Sequence, residues 1–122
     1  MKKEKLRIEL ARAYDQTPTM EGYRVLVDRL WPRGVKKEDL KLDAWMKELA
    51  PSTELRRWYN HDPNRWNEFR KRYFAELDGQ SEAIGQILDA AQGRPIILIF
   101  GAKDKRHNNA VSLKEYLLQS DN

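Results

Sequence analysis

Apolar and polar residues alternate strictly along Leu6-Arg7-Ile8-Glu9-Leu10. That period of two is the pattern of a half-buried strand, and it predicts a first strand running on through Ala13 or Tyr14. Pro18 and Gly22 punctuate the stretch from Asp15 to Gly22, which reads as a loop. Tyr23 to Asp28 follows, continuously apolar at its centre in Val25-Leu26-Val27, as an interior strand is. A parallel crossover between neighbouring strands takes about a dozen residues or more. The loop is short for that, so the first two strands are expected to pair antiparallel. The most apolar run, Ile96-Ile97-Leu98-Ile99-Phe100, is introduced by Pro95 and reads as the central buried strand.

Helical spacing fills the interval between these strands. Short helices are expected over Lys36 to Leu40 and Asp43 to Leu49, stopped by Pro51. Ser52 suits the N-cap of a helix through Trp58 or Tyr59, since its hydroxyl can accept a free backbone N–H. Asp62-Pro63 is a second start signal, a cap followed by a residue that needs no N–H at the first helical position. The helix after it places Trp66, Phe69, Tyr73 and Leu77 on one face. Ser81 can cap another helix, with Ile84, Ile87, Leu88 and Ala91 as its apolar stripe and Gly93 at its left-handed end. A last helix over His107 to Gln119 carries Ala110, Leu113 and Leu117, widened by Val111 and Leu118. The expected architecture is therefore α/β, a small mixed sheet of three or slightly more strands covered by about five helices, in one domain.

Length and composition narrow the classes. The 122 residues fit one domain. Charged residues make up 34%, yet 10% are aromatic, and a chain that rich in rings buries enough surface to fold. No apolar run approaches the ~18 residues of a membrane span, and Met1 to Lys5 leads into charged sequence instead of an apolar signal core. A cytoplasmic location is expected. The chain has no Cys, which excludes disulfides, thiol nucleophiles and cysteine-held metals. With 23 Lys plus Arg against 19 Asp plus Glu, the net charge is +4 and mostly interspersed. The densest basic stretches are Arg65 to Arg72 and Lys103 to Arg106.

Ligands of open α/β sheets bind beyond the carboxyl ends of the strands, where loops part and helix N-termini present free N–H groups. That rule selects Asp28 to Gly34, the region from Gly101 to Asn109, and the corner at His61-Asp62. Asp28 can serve as a general base or orient a ligand; alternatively it is a carboxylate buried against Arg29 or Arg33. Arg29 and Arg33 can grip phosphate or carboxylate through forked hydrogen bonds, or tie the loop to acidic neighbours. Trp31 is either core or a stacking surface. His107, with an ordinary pKa near 6.5, suits proton transfer at a strand end, or it and Asn108 merely cap the last helix. His61 and Asn109 are further ligand-binding candidates, and Asp104 is expected to cap or to pair with Lys103. Phosphate-loop, dinucleotide and nucleophile-elbow motifs are absent. His61 and His107 lack metal-ligand spacing, so no metal site is expected, with a divalent ion on Asp28, Asp104 and His107 as the minor alternative, and nothing identifies a cofactor.

Several of these runs match a known pattern. Gly22 to Gly34 (Gly-Tyr-Arg-Val-Leu-Val-Asp-Arg-Leu-Trp-Pro-Arg-Gly), Leu49 to Trp58, His61-Asp62-Pro63 with Trp66, and Asp104 with His107-Asn108-Asn109-Ala110-Val111 resemble the YeaO-like family of small bacterial proteins. The resemblance spans nearly the whole chain, with four motifs in order. It departs at Phe100-Gly101-Ala102, where a Tyr-Ala-Ala-like run is the family pattern, so no side-chain role is carried over to Gly101. It implies an α/β fold and no established activity.

Three functions follow as expectations. The first is a small enzyme or binding domain for an anionic metabolite, which needs Asp28, Arg33, His61 and His107 to converge on one pocket. The second is a nucleic-acid-binding or regulatory module using Arg65, Arg70, Lys71 and Arg72 with Lys103, Lys105 and Arg106 on phosphates. The third is an interaction protein recruiting partners through Trp45, Trp58 or Tyr59.

Overall fold

The computed structural model describes residues 6–15 and 21–120; Met1 to Lys5 and most of the predicted Asp15 to Gly22 loop lie outside them. Among the described residues, β1 (Ile8–Arg12), β2 (Tyr23–Leu26), β3 (Ala44–Trp45) and β4 (Ile96–Phe100) form one sheet in the order β1-β4-β2-β3. All three pairings are parallel. The expected antiparallel pairing of the first two strands is therefore wrong. A short loop excludes a parallel pair only between neighbouring strands, and β4 lies between β1 and β2, so no tight connection joins adjacent strands. Backbone pairing continues past the strands: Ala13 N–H donates to Phe100 O at 2.7 Å, and Val27 N–H donates to Ile99 O at 3.0 Å.

The fourth strand is a second correction. Asp43 to Leu49 was expected to be a helix, but Ala44–Trp45 pairs with the outer edge of β2 and a 3-10 turn follows over Lys47–Leu49. The open edge of β2 decides this. Asp43 N–H donates to Arg24 O at 2.8 Å, Met46 N–H to Leu26 O at 2.9 Å, and Arg24 N–H to the Asp43 carboxylate at 2.9 Å. Those partners satisfy backbone groups that a helix would leave unpaired at the sheet edge.

The helices are α1 (Lys37–Leu40), α2 (Thr53–Tyr59), α3 (Trp66–Asp78), α4 (Ser81–Ala91) and α5 (Asn109–Ser120). Ser52 caps α2 as its chemistry predicts, accepting Leu55 N–H at 3.1 Å. Asp62 accepts Asn64 N–H at 3.0 Å, and Pro63 opens a 3-10 turn that runs into α3. Ser81 makes no cap; Gln80 stands at that position. The last helix starts at Asn109, two residues after His107.

Every residue of β4 is buried, and its alternation divides the core. Ile96, Leu98 and Phe100 face the helices, packing with Val25, Val27, Phe69, Tyr73, Leu77, Ile84, Ile87, Ala91, Leu113 and Leu117. Ile97 and Ile99 face the other way, with Ala11, Leu26 and Leu40, partly covered by Trp31, Val35, Leu42 and Trp45. The buried Tyr73 hydroxyl donates to Leu49 O, tying α3 to the segment ahead of α2. Leu88 and Leu118, on the expected apolar stripes, are exposed at the wet margins of their helices. Gly22 has a steric reason: a Cβ there would lie 2.3 Å from Pro95 O, where the chain entering β2 meets the chain entering β4.

A pocket beyond the strand ends

The carboxyl ends of β2 and β4 lie side by side, so Asp28 and Gly101 meet. Asp28 Oδ2 accepts Gly101 N–H at 2.8 Å, and Asn109, the first residue of α5, donates through Nδ2 to Asp28 Oδ1 at 3.1 Å and to Val27 O at 2.9 Å. Trp45 Nε1 donates to Asp28 O at 2.7 Å and so fixes the backbone of the same residue. Burial holds the Asp28 carboxyl above its ordinary value, against the opposing pull of the Gly101 N–H, the Asn109 amide and the Arg56 charge. The expected alternative of Asp28 in a structural ion pair with Arg29 or Arg33 is not what holds it; neutral donors do.

Above this floor opens a pocket of about 320 Å³. Asp28, Arg29, Trp31, Arg33, His61, His107, Asn108 and Asn109 all line it, so Asp28, Arg33, His61 and His107 share one pocket. Sequence reasoning missed Tyr14, Arg56, Tyr59 and Phe69, which complete the wall. One signal was available: Arg56 and Tyr59 are three apart on α2 and therefore share a face.

The lining side chains differ in how free they are. Asn108 donates to Asp104 O at 2.9 Å and accepts Val111 N–H at 3.0 Å, so it caps α5. The Asn109 amide protons are committed to Asp28 and Val27. His107 is held through Nδ1 by Asp104 at 3.0 Å and meets Trp66 edge-on, with ring centroids 5.3 Å apart. Asp104 thus pairs with His107, so it neither pairs with Lys103 nor caps α5, the two expected roles; Asn108 is the cap. Asp104 Oδ1 also accepts the N–H groups of Arg106 and His107 at 2.8 and 3.0 Å, and these contacts, the Arg106 N–H foremost, keep the carboxyl below its usual value. Trp31 is both core and wall: its Nε1 donates to Val35 O at 2.7 Å and its ring packs edge-on against Trp45.

Arg29 keeps a buried donor unpaired. Its only hydrogen bond among the described residues is a long one, Nη2 to Pro51 O at 3.5 Å, and its Nε is buried without an acceptor. The same side chain borders a second, polar hollow of about 440 Å³ with Glu48, Ser52, Tyr73 and Glu76. There Glu76 already accepts from Ser52 N–H and Oγ at 2.8 and 2.6 Å.

The basic helix is largely neutralised. Arg70 Nε donates to Glu115 at 3.0 Å, Arg72 pairs with Glu68 at 3.0 Å, and Arg65 lies 3.7 Å from Asp62. Of the candidate contact aromatics, Tyr59 is buried, Trp45 is half-buried with Lys47 over its ring, and Trp58 is half-buried beneath Arg65 and Arg72. No helix among the described residues is long and apolar enough to cross a membrane.

The sequence profile of a family described as the inactive DUF488-N3 subclade, DUF488-N3i, matches residues 7–121. The chain is 42% identical over 112 residues to the uncharacterized protein YeaO of Escherichia coli, covering 92% of this chain and 97% of that protein. It is 44% identical over 91 residues to the uncharacterized proteins Rv3073c of Mycobacterium tuberculosis and Mb3100c of Mycobacterium bovis, 75% of each chain. No solved structure matches it significantly.

Proposed function

The chain belongs to the DUF488-N3i family, and on that premise we propose that it is a cytoplasmic binding protein for a small anionic metabolite, held in the pocket beyond β2 and β4. One observation carries the reading. Among the described residues, three guanidiniums, Arg29, Arg33 and Arg56, line a pocket whose only carboxylate is Asp28, and the buried Nε of Arg29 has no acceptor. A buried donor without a partner costs roughly 1–3 kcal/mol, and a carboxylate or phosphate oxygen would relieve it with a charge-assisted hydrogen bond. The description of the subclade as inactive supports binding over turnover. Asp28 and His107 then serve as floor and rim, not as a proton-transfer pair. Ion pairing along α3 weighs against the nucleic-acid alternative, because Arg65, Arg70 and Arg72 already have acidic neighbours.

The test is thermal unfolding and calorimetry with phosphate, sugar phosphates, nucleotides and carboxylates, on the wild type and on Arg29→Met and Arg33→Ala. A ligand at a hundred times its Kd adds about 2.7 kcal/mol of stability, a shift of roughly several degrees in a domain of this size. Arg29→Met is expected to fold at least as stably as the wild type without ligand, having lost an unpaired buried donor, and to lose the anion response. An anion response identical in the wild type and both variants would refute the site. Cell fractionation tests the location.

A further inference from the structure

Resting on the anion reading, we propose that the ligand is amphiphilic: an aromatic ring that carries one carboxylate or phosphate. The four large hydrophobic side chains exposed among the described residues are Tyr14, Leu30, Leu88 and Leu118. Two of them, Tyr14 and Leu30, line this one pocket, and Leu30 is 62% exposed. Single exposed leucines are ordinary; two large apolar groups at the mouth of a pocket lined with arginines are a different arrangement. Tyr14 is braced there. The Arg12 guanidinium lies 4.8 Å from its ring centroid, and Arg12 is itself fixed by Ala102 O at 2.9 Å and paired with Asp15 at 3.5 Å.

The walls continue the apolar surface inward. Pro32, Pro51, Tyr59 and Phe69 line the pocket, and the two rings are locked together, with Tyr59 4.6 Å from Phe69 and Phe69 stacked at 5.5 Å on Trp66. Flat, immobile walls favour a flat ligand, because neither partner loses much freedom on contact.

The polar groups argue the same way by elimination. A sugar phosphate brings several hydroxyls, each needing a partner once enclosed. Yet each Asp28 oxygen already accepts a bond from the chain, Asn108 is committed at both ends of its amide, and the Asn109 Nδ2 donates twice. The lining polar side chains without a hydrogen bond or ion pair among the described residues are Arg33, Arg56 and His61, with the hydroxyls of Tyr14 and Tyr59 at the edges of the apolar rings. Such a pocket reads one anionic head and an apolar body. Carboxylate and phosphate share the chemistry that guanidiniums recognise, and the probes below separate them.

Calorimetry on the full chain would compare 2-naphthoate, 1-naphthyl phosphate, inorganic phosphate and glucose 6-phosphate, with Leu30→Ser beside the wild type. At least one naphthyl probe is expected to bind roughly tenfold or more tightly than phosphate and glucose 6-phosphate, as the transfer of a ring from water to an apolar wall implies. Leu30→Ser should melt with the wild type and bring the naphthyl affinity down severalfold. Naphthoate preferred over naphthyl phosphate assigns a carboxylate head, and the reverse a phosphate head; either supports the amphiphile. Glucose 6-phosphate or phosphate binding as tightly as both naphthyl probes overturns this inference and leaves the anion reading standing. So does a naphthyl affinity indifferent to Leu30→Ser. Failure of all four probes overturns both.

Discussion

Asp28 and Asp104 stand on neighbouring loops, one on the pocket floor and one just behind its rim, and each accepts N–H donors from the protein. Their chemistry nevertheless diverges. Asp28 is mostly enclosed, and desolvation outweighs the Gly101 N–H and the Asn109 amide, so its carboxyl titrates above the ordinary value of 3.8. Asp104 is open to water, and the N–H groups of Arg106 and His107, with the His107 ring, hold it below that value. Similar donors give opposite results because at Asp28 they fall short of the hydration lost on burial, while at Asp104 little hydration is lost and they exceed that cost. The Asp104 turn is a surface device that orders a loop. The Asp28 turn is an interior device that ties two strands and a helix together.

The strongest way to break this contrast is to remove the donor that α5 supplies to the interior acid. Asn109→Ala leaves Asp28 Oδ1 and Val27 O without their shared partner, and urea denaturation is expected to show a loss of roughly 1–3 kcal/mol. Asp104→Ala removes the acceptor of two exposed N–H groups that water can replace, so the same measurement should return a clearly smaller loss. Equal losses would mean that the two turns do not differ as described. A finer probe is Gly101→Ala. A Cβ there would meet Asp28 Oδ2 at 3.2 Å, tighter than ordinary contact, and about 1 kcal/mol of destabilisation is expected from this overpacking, read from the denaturation midpoint.

The smallest effect, and the most specific, is in the pH dependence. For Asp28 the folded pKa is raised, so its carboxyl favours folding while neutral, below 3.8, and that share is lost as pH climbs through the raised value. Relative to Asp28→Asn, the wild type should lose stability over that interval. For Asp104 the folded pKa is lowered, so its share is full above 3.8 and disappears as pH falls through the lowered value. Relative to Asp104→Asn, the wild type should gain stability as pH rises through that range. Denaturation midpoints between acid and neutral pH, on both pairs, measure the two slopes; slopes of the same sign would sink the comparison.

What the chain determined by itself was local. The alternation around Ile8, the solid apolar run of Ile96 to Phe100, the cap at Ser52, the Asp62-Pro63 start and the stripes of α3 and α5 are visible because period and capping act within a few residues. They also pointed to the pocket, since loops at strand ends follow directly once the strands are known; seven of the eight expected lining residues lie on those loops or at the start of α5, and His61 on the helix-start corner beside them. Tertiary structure decided the rest. The insertion of β4 between β1 and β2 made the sheet parallel, and the unpaired edge of β2 drew Ala44–Trp45 out of an expected helix. Packing limits left Leu88 and Leu118 in water. Above all, the partners of Asp28 lie 73 and 81 residues away in sequence, and that the buried Arg29 Nε finds no acceptor among the described residues becomes visible only once the chain has closed around it. No pattern within a few residues encodes that, because hydrogen-bond satisfaction in a folded protein is settled between segments distant along the chain.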